Sequence, residues 1–591
     1  TGELVNPNAV LTEQQRTRLK DASTSIEPMF IVTPEEAKEN ESHEPTGKKT
    51  WIFQAKNVRD FAFASSRKFI WDAQGHSVAG RKVMAMSFYP NEGEPLWSKF
   101  STHAIIHTLN VYSKFTFDYP YPVAISVNGP VYGMEYPMIC FNGPRPLKDG
   151  TYSKQTKYAL ISVIIHEVGH NYFPMIVNSD ERQWTWMDEG LNTFLQYLAE
   201  QEWEEKYPSR RGEPKNIVGY MKSSSQVPIM TNSESILQFG PNGYSKPATA
   251  LNILRETILG RELFDFAFRE YAQRWMFKRP MPADFFRTIE DASSIDLDWF
   301  WRGWFYTTAH TDLAIDSVSV KTISKGDPRE TKAQRRKDKD DQPVTLSGQR
   351  NKDLPKRADQ FPDLKDFYNS YDPLKVTEAE KAAYEKRLKG LTEEQKNMLA
   401  DKSHFYVIKF RNHGGLVMPL IVELETIDGK KKEYRIPSEI WRRNNETVSK
   451  LFITDKPLKR IVLDPHLETA DVDRSNNVFP PEIPKSRFQL FKERTGGGSN
   501  DMQRARRAEK AKEDARKKQE AKAKEAAKKK LEAEAKAKEE AKKKQESEAK
   551  AKEEAKNKGG VDGKKESASD GTEPQTVTVN QETEKTEGLP K

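Results

Sequence analysis

Residues 166–190 read HEVGHNYFPMIVNSDERQWTWMDEG. Two histidines stand four apart, a glutamate follows the first, and Glu189 comes after eighteen further residues. On a helix, positions i and i+4 share a face, so His166 and His170 project together about one turn apart. Glu167 falls about 100° round the helix, beside the pair and not on it. Two imidazoles so placed can hold one metal ion, and the adjacent carboxylate can act as a base on a water at that ion. A catalytic zinc site takes three protein ligands and keeps one position open. Glu189, at the start of the next helical stretch, can supply the third, and the link PMIVNSDERQWTW is long enough for the chain to fold back.

The bland alternative is a helix that merely contains histidines. With ten histidines in the chain, an accidental HExxH arises at roughly the one-per-cent level. THAIIHT is an internal control: His103 and His107 are also four apart, but Ala104 stands where the base belongs. That pair reads as packed or hydrogen-bonded helix histidines.

Around this stretch the pattern is helical from about Thr156 to Phe173, where Pro174 ends it, and again from Met187 to Lys206. Upstream, Trp97 to Tyr112 is amphipathic, with Trp97, Phe100, His103, Ile106, His107 and Asn110 on one face. WIFQAKNVRDFAFA and SVAGRKVMAMSFYP alternate as strands, and YPVAISVNGPVYGMEYPMICFNG is β-rich with tight turns. Further helices rich in Trp and Phe run to about Phe305. LAIDSVSV is a strand, followed by a charged insertion, and strands return from FYVIKF through LVMPLIVELETI, KKKEYRIP, SKLFIT and KRIVLD. The expected fold is multidomain α+β. Residues 1–64 read as the end of an N-terminal β domain and 65–312 as an α/β-then-helical domain. Residues 313–488 read as a small antiparallel sandwich with an insertion at about 321–403.

Residues 489–558 form a Lys/Glu/Ala-rich segment in which Glu513–Lys517, Glu520–Lys524 and Glu525–Lys529 are spaced i,i+4 in the stabilising order. Leu531 is almost its only large apolar residue, so no heptad seam exists, and a single solvated helix is expected; a tail that binds acidic polymer or membrane is the alternative. Residues 559–591 have the composition of a disordered tail.

The chain of 591 residues carries 96 basic against 88 acidic side chains, a near balance that argues against a dedicated nucleic-acid binder. No apolar run approaches the ~18 residues needed to span a bilayer. One cysteine, Cys140, excludes an internal disulfide and fits cytoplasmic and exported bacterial proteins alike. The chain begins TGELVNP without Met and reads as a fragment or processed product.

Two further pieces stand at telling distances: GMEYP, Gly133 to Pro137, upstream, and Tyr244, in GYSKPATA, downstream. The order GMEY, HEVGH, eighteen residues, Glu, then Tyr-Ser-Lys resembles the aminopeptidase N-like zinc metallopeptidases, the gluzincins, over roughly residues 50–312. The resemblance implies a thermolysin-like catalytic domain behind an N-terminal β saddle, one zinc ion, and release of N-terminal residues from peptides with a free amine. It implies His166, His170 and Glu189 as ligands, Glu167 as general base and Tyr244 as oxyanion donor. It implies Glu135, with Gly133 and Met134 on its strand, as substrate-binding residues. Departures from the family pattern are Tyr136 for Asn, Gly169 for Ala, Asp188 for Asn and Pro247 for Gly; none removes a reacting group. Relatives of the GMEYP type look like exported bacterial enzymes, so the resemblance favours an extracytoplasmic location, with the cytoplasm as the alternative. Two rival functions stay open: an endopeptidase with the same metal site, and an inactive scaffold built around the charged tail.

Overall fold

The computed structural model describes residues 1–44, 46–482 and 500–556. It divides into one unit from Thr1 to Gln503 and a second from Arg504 onward.

Six strands make the sheet that carries the site. In spatial order they are Met29–Val32, Ile70–Val78, Arg81–Tyr89, Val123–Asn128, Ile139–Asn142 and, at the edge, Gly133–Tyr136. The two central junctions, Arg81–Tyr89 with Val123–Asn128 and Val123–Asn128 with Ile139–Asn142, are parallel, and the outer ones are antiparallel. Both faces are covered, which is why Val123–Asn128 is buried at every position. The strand Ile70–Val78 shows the period-2 division: Ile70 and Val78 join the main core, whereas Trp71 and Ala73 join a smaller cluster with Val10, Leu11, Ala22 and Ile31 on the other face.

This arrangement corrects the reading of residues 1–64. They make no sheet domain of their own. Helices at Glu13–Ala22 and Pro34–Ser42 and the strand Met29–Val32 belong to the six-stranded layer, and the stretch expected as a strand from Trp51 contributes only Phe53–Gln54, paired with Glu3–Leu4. Those side chains are exposed, so alternation there reflected no buried face.

The helix expected near Trp97 runs from Leu96 to Phe115, but its buried face is not the expected one. Trp97 is buried, His103 and Asn110 are exposed, and the inner face is Ser101, Thr102, Ala104, Ile105, Thr108 and Tyr112. Small hydroxyl residues let the helix approach the sheet, and their polar atoms find partners there: Ser87 Oγ lies 2.7 Å from both Ser101 Oγ and Thr102 Oγ1. Apolar periodicity is blind to such a face.

Beyond the helical part, Leu313–Thr322 pairs with His404–Asn412 across the whole insertion, and Thr447–Thr454 completes a three-stranded sheet. A second, four-stranded sheet holds Leu420–Thr426 and Leu458–Leu463 at its centre. Tyr406, Ile408 and Phe410 from one sheet and Leu420, Val422 and Leu424 from the other are buried in a common core.

In the second unit the helix that begins at Asp501 continues to Lys556, and its side chains from Arg504 to Ala551 are exposed. Lys517–Glu513 (2.8 Å) and Lys529–Glu525 (3.0 Å) form as expected, whereas Glu520 faces Arg516 at 3.6 Å, on the turn before it, instead of Lys524. The expected link at 489–499 and the expected disordered tail at 559–591 lie outside the described residues. No helix among the described residues is long and apolar enough to cross a membrane.

Candidate metal centre

The helix carrying HEVGH spans Lys154–Gly169, capped by the Ser153 hydroxyl, which accepts from the Thr156 N–H at 3.0 Å. It stops five residues before the proline: Phe173 is extended (φ −132°, ψ 115°), as a residue preceding proline must be, and the chain makes a wide turn over Asn171–Ile176. A second wide turn, Trp186–Gly190, leads into the helix Leu191–Trp203 and brings Glu189 back over the histidines.

His166 Nε2 lies 3.0 Å and His170 Nε2 3.3 Å from Glu189 Oε2, and the two Nε2 atoms are 3.2 Å apart. The opposite ring nitrogens fix the tautomers. Gln196 turns its amide nitrogen to Glu200 at 2.8 Å, so the atom 2.9 Å from His166 Nδ1 is its carbonyl oxygen. His170 Nδ1 lies 2.9 Å from both the Phe173 carbonyl and Asp188 Oδ1. Each Nδ1 therefore carries its hydrogen, and both Nε2 lone pairs, with a carboxylate oxygen, converge on one point. With both imidazoles neutral, three acceptors facing each other repel unless a cation sits among them, and two imidazoles with a carboxylate are a donor set that a divalent ion of zinc type accepts. The residues present fit a metal ion.

Electrostatics agree. Burial pushes His166 below its ordinary pKa. Burial also opposes charge on His170, but Glu135, Asp188 and Glu189 together outweigh it and raise its pKa well above normal. Glu189 is held below the usual carboxylate range because the two imidazoles overcome its desolvation. Glu167 is pushed well up by burial, with Glu135 and Glu189 adding to it, and its Oε2 is buried without a hydrogen-bond partner. A cation at the tripod is the charge that would return Glu167 to its ionised form.

The other expected residues gather here. Tyr244 donates to Glu189 Oε1 at 2.6 Å, and its ring stacks on His166 at 5.7 Å. Glu135, Glu167 and His170 form a second group whose ligand atoms lie within 4.8 Å of one another. Gly133 sits directly over Glu167: a Cβ there would fall 2.3 Å from Glu167 Oε1. Met134, between them, points to the opposite face of the strand and is exposed. The edge strand turns back through Pro137 and Met138, whose φ of +66° and preceding proline make the pattern of a type II turn; the Met138 N–H is held by Asn171 Oδ1 at 2.8 Å. The control pair does not converge: His103 is exposed, and His107 Nε2 lies 2.8 Å from the Ala199 carbonyl.

Residues 100–304 match the model of the peptidase family M1 domain, and every residue of the site falls inside them. This segment is similar to the peptidase family M1 domain. Over 237 residues the chain is 26% identical to Aminopeptidase M1-D of Oryza sativa subsp. japonica, covering 37% of this chain and 26% of that protein. It is 25% identical over 174 residues to Glutamyl aminopeptidase of Bos taurus, covering 28% and 18%. The chain thus matches about a quarter or less of the length of these relatives. Among solved structures, aminopeptidase A of Legionella pneumophila in complex with aspartic acid is similar with a TM-score of 0.43 at 12% identity, covering 68% of this chain and 38% of that one. An M1 zinc metallopeptidase of Deinococcus radiodurans gives 0.32 at 16%, covering 40% and 52%.

Around the tripod stand further polar residues that the motif did not mark. Asp188 and Gln196 orient the two imidazoles, and Asn192 Nδ2 donates to the His166 carbonyl at 2.8 Å. Glu189, Asn192, Gln196 and Glu200 form a polar stripe at helical spacing along an otherwise apolar helix, a signal that sequence could have offered. Lys246 is fully buried, and among the described residues its Nζ reaches only the Thr307 carbonyl, at 3.3 Å. Arg211 places its guanidinium 4.3 Å from the centre of the Tyr244 ring; no motif pointed to it.

Proposed function

We propose that this chain is a zinc aminopeptidase that hydrolyses the first peptide bond of substrates with a free N-terminus. The observation that carries the reading is the convergence of His166, His170 and Glu189 on one point, with Glu167 beside it and Glu135 on the edge strand next to it. His166, His170 and Glu189 would hold the zinc, which when bound supplies Lewis acidity toward a water and a carbonyl oxygen.

The chain's own groups do the rest. Glu167 takes the proton of the attacking water at its carboxylate and hands it to the departing amine nitrogen. The Tyr244 hydroxyl turns from Glu189 to donate a hydrogen bond to the oxygen of the scissile carbonyl as negative charge develops there. Glu135 pairs with the substrate's α-ammonium, which limits the peptide to one residue before the cleavage point. The exposed edge of Gly133–Tyr136 accepts the substrate as a further antiparallel strand, so the reacting bond is placed by backbone hydrogen bonds common to all sequences.

An endopeptidase lacks a use for a carboxylate at Glu135, and a scaffold lacks a use for the tripod, so both rivals leave observed geometry unexplained. The test joins metal analysis to an assay on a chromogenic amino-acid amide with a free amine. Glu167→Gln should keep about one zinc per chain and lose kcat by on the order of 10²–10⁴. His166→Ala should lose the metal itself. Absence of bound zinc in the wild-type protein, or Glu167→Gln activity above about a tenth of wild type, would overturn the reading.

A further inference from the structure

Arg211 is a cation beside the tripod, held there against an aromatic ring. Its guanidinium packs 4.3 Å from the Tyr244 ring centre, and among the described residues it makes no hydrogen bond or ion pair. Both nearby carboxylates are engaged elsewhere. Glu189 turns one oxygen to the histidines and the other to the Tyr244 hydroxyl. Glu200 accepts from Ser162 (2.6 Å), Gln196 (2.8 Å) and Ser209 (2.5 Å). Five N–H donors in a rigid fork are therefore unspent in a partly desolvated place.

The loop is built to put them there. Gly212 has φ +92°, and a Cβ on it would fall 2.4 Å from the Tyr197 ring, so only glycine allows the bend that aims Arg211 at the site. The Gly212 carbonyl is held by Asn252 Nδ2 at 3.1 Å, and the next residue, Glu213, accepts from the Tyr197 hydroxyl at 2.7 Å instead of pairing with Arg211.

Position assigns the partner. Glu135 adjoins His170 and Glu167, whereas Arg211 adjoins Tyr244, which stacks on His166. The tripod lies between the two. A peptide whose ammonium sits at Glu135 and whose first carbonyl lies over the tripod sends the remainder of its chain to the far side. We propose that Arg211 binds a carboxylate of the substrate beyond the scissile bond, making this enzyme selective for short peptides with an anionic group on the leaving side. The chemistry has two possible sources, the α-carboxylate of a dipeptide or an acidic side chain on its second residue. This inference rests on the aminopeptidase reading.

The experiment uses the zinc-loaded full chain carrying Glu167→Gln, so that peptides bind without turning over. Affinities are measured by calorimetry for alanyl-alanine, alanyl-alanine amide, alanyl-glutamate α-amide and alanyl-glutamine amide, with Arg211 present and with Arg211→Met. A carboxylate should tighten binding by roughly 10- to 100-fold, the scale of a hydrogen bond to a charged group. The α-amides show whether the C-terminus or the side chain is the one recognised. Arg211→Met should abolish the advantage and leave the neutral amides unchanged, and Arg211→Lys should restore only part of it, because an ammonium lacks the fork. The proposal is overturned if no carboxylate peptide binds better than its amide, or if the advantage survives Arg211→Met. It is also overturned if Arg211→Met weakens neutral and anionic peptides equally, which is the result for a mere prop of Tyr244. Turnover of neutral amides by the enzyme with Glu167 intact is the separate check. If that is absent while the carboxylate preference stands, the aminopeptidase reading falls and the anion site remains.

Discussion

Replacing Gly133 by alanine puts the smallest possible probe between the edge strand and the proposed base. The added Cβ would stand 2.3 Å from Glu167 Oε1 and 3.0 Å from both Glu167 Cδ and Val163 Cγ2, against an ordinary contact that begins near 3.4 Å. The carboxylate must therefore retreat by about 1 Å, a displacement that by itself costs on the order of 10²-fold in rate when it befalls a reacting group. Stability should hardly change. Gly133 is exposed, its φ is outside the left-handed region, and the atom in the way is the end of a flexible side chain, so the expected cost is within ~1 kcal/mol. The prediction is a kcat about 10²-fold lower on a free-amine amide, with zinc content and melting temperature near wild type. Met134→Ala, whose side chain faces away, should stay within about twofold by the same logic of strand alternation. If Gly133→Ala kept more than about a third of wild-type kcat, Glu167 would not be acting from the place the structure gives it.

Three other expectations follow from particular contacts. Glu135→Ala should weaken free-amine substrates by roughly 2–5 kcal/mol of transition-state binding, and should barely affect the slow cleavage of N-acetylated ones; equal loss on both, with internal cleavage of acetylated peptides, would establish the endopeptidase instead. Gly169→Ala should destabilise the fold by roughly 1–3 kcal/mol despite alanine's better helix propensity, since its Cβ would meet Asn192 Oδ1 at 2.3 Å and the Tyr112 hydroxyl at 2.4 Å; denaturant midpoints unchanged from wild type would contradict this. Lys246 concerns pH. Burial lowers its pKa from 10.5 to about 7, so between those values the unfolded chain holds the proton that the folded chain has released. Its penalty is full below pH 7, fades as pH rises through the window and is gone above 10.5; stability should therefore climb by on the order of 5 kcal/mol from this group alone. Lys246→Met should be more stable at neutral pH and lack that rise, and a lysine that left the pH dependence untouched would have to reach solvent when charged.

What could be read without coordinates was what chemistry ties to local spacing. His166, Glu167 and His170 are fixed relative to each other by one helical turn, so their mutual placement follows from sequence alone. The strand after the insertion was legible for the same reason: Tyr406, Ile408 and Phe410 alternate inward without exception. Glu135 and Tyr244 were reachable only through resemblance, because their approach to the tripod is a property of tertiary structure. The inner face of Leu96–Phe115 was misread because Ser101, Thr102 and Thr108 are buried through hydrogen bonds, which hydrophobic periodicity counts as exposure. Arg211 left no trace for a related reason: its placement depends on one left-handed glycine in a loop, and loops encode position through dihedral angles more than through pattern.

Two of the departures from the family pattern, Gly169 and Pro247, make sense as exchanges of volume between neighbours. Gly190 follows the ligand Glu189, and a Cβ on it would lie 2.6 Å from Pro247 Cγ and 3.1 Å from the Gly243 carbonyl. Gly243 in turn has no room for a Cβ beside Thr185 Cγ2, at 2.7 Å. Two glycines thus let the backbone before Tyr244 lie directly on the turn that carries Glu189, and it is this approach that lets the hydroxyl reach Oε1 at 2.6 Å. Proline at 247, in place of the family's glycine, fills the space that Gly190 leaves open. Behind the histidines, Gly169 gives up a methyl group, and the Tyr112 hydroxyl takes its place to hold Asn192, which holds the His166 carbonyl. In both places the space a glycine leaves is taken by a neighbouring side chain, so the packing behind the reacting atoms stays close.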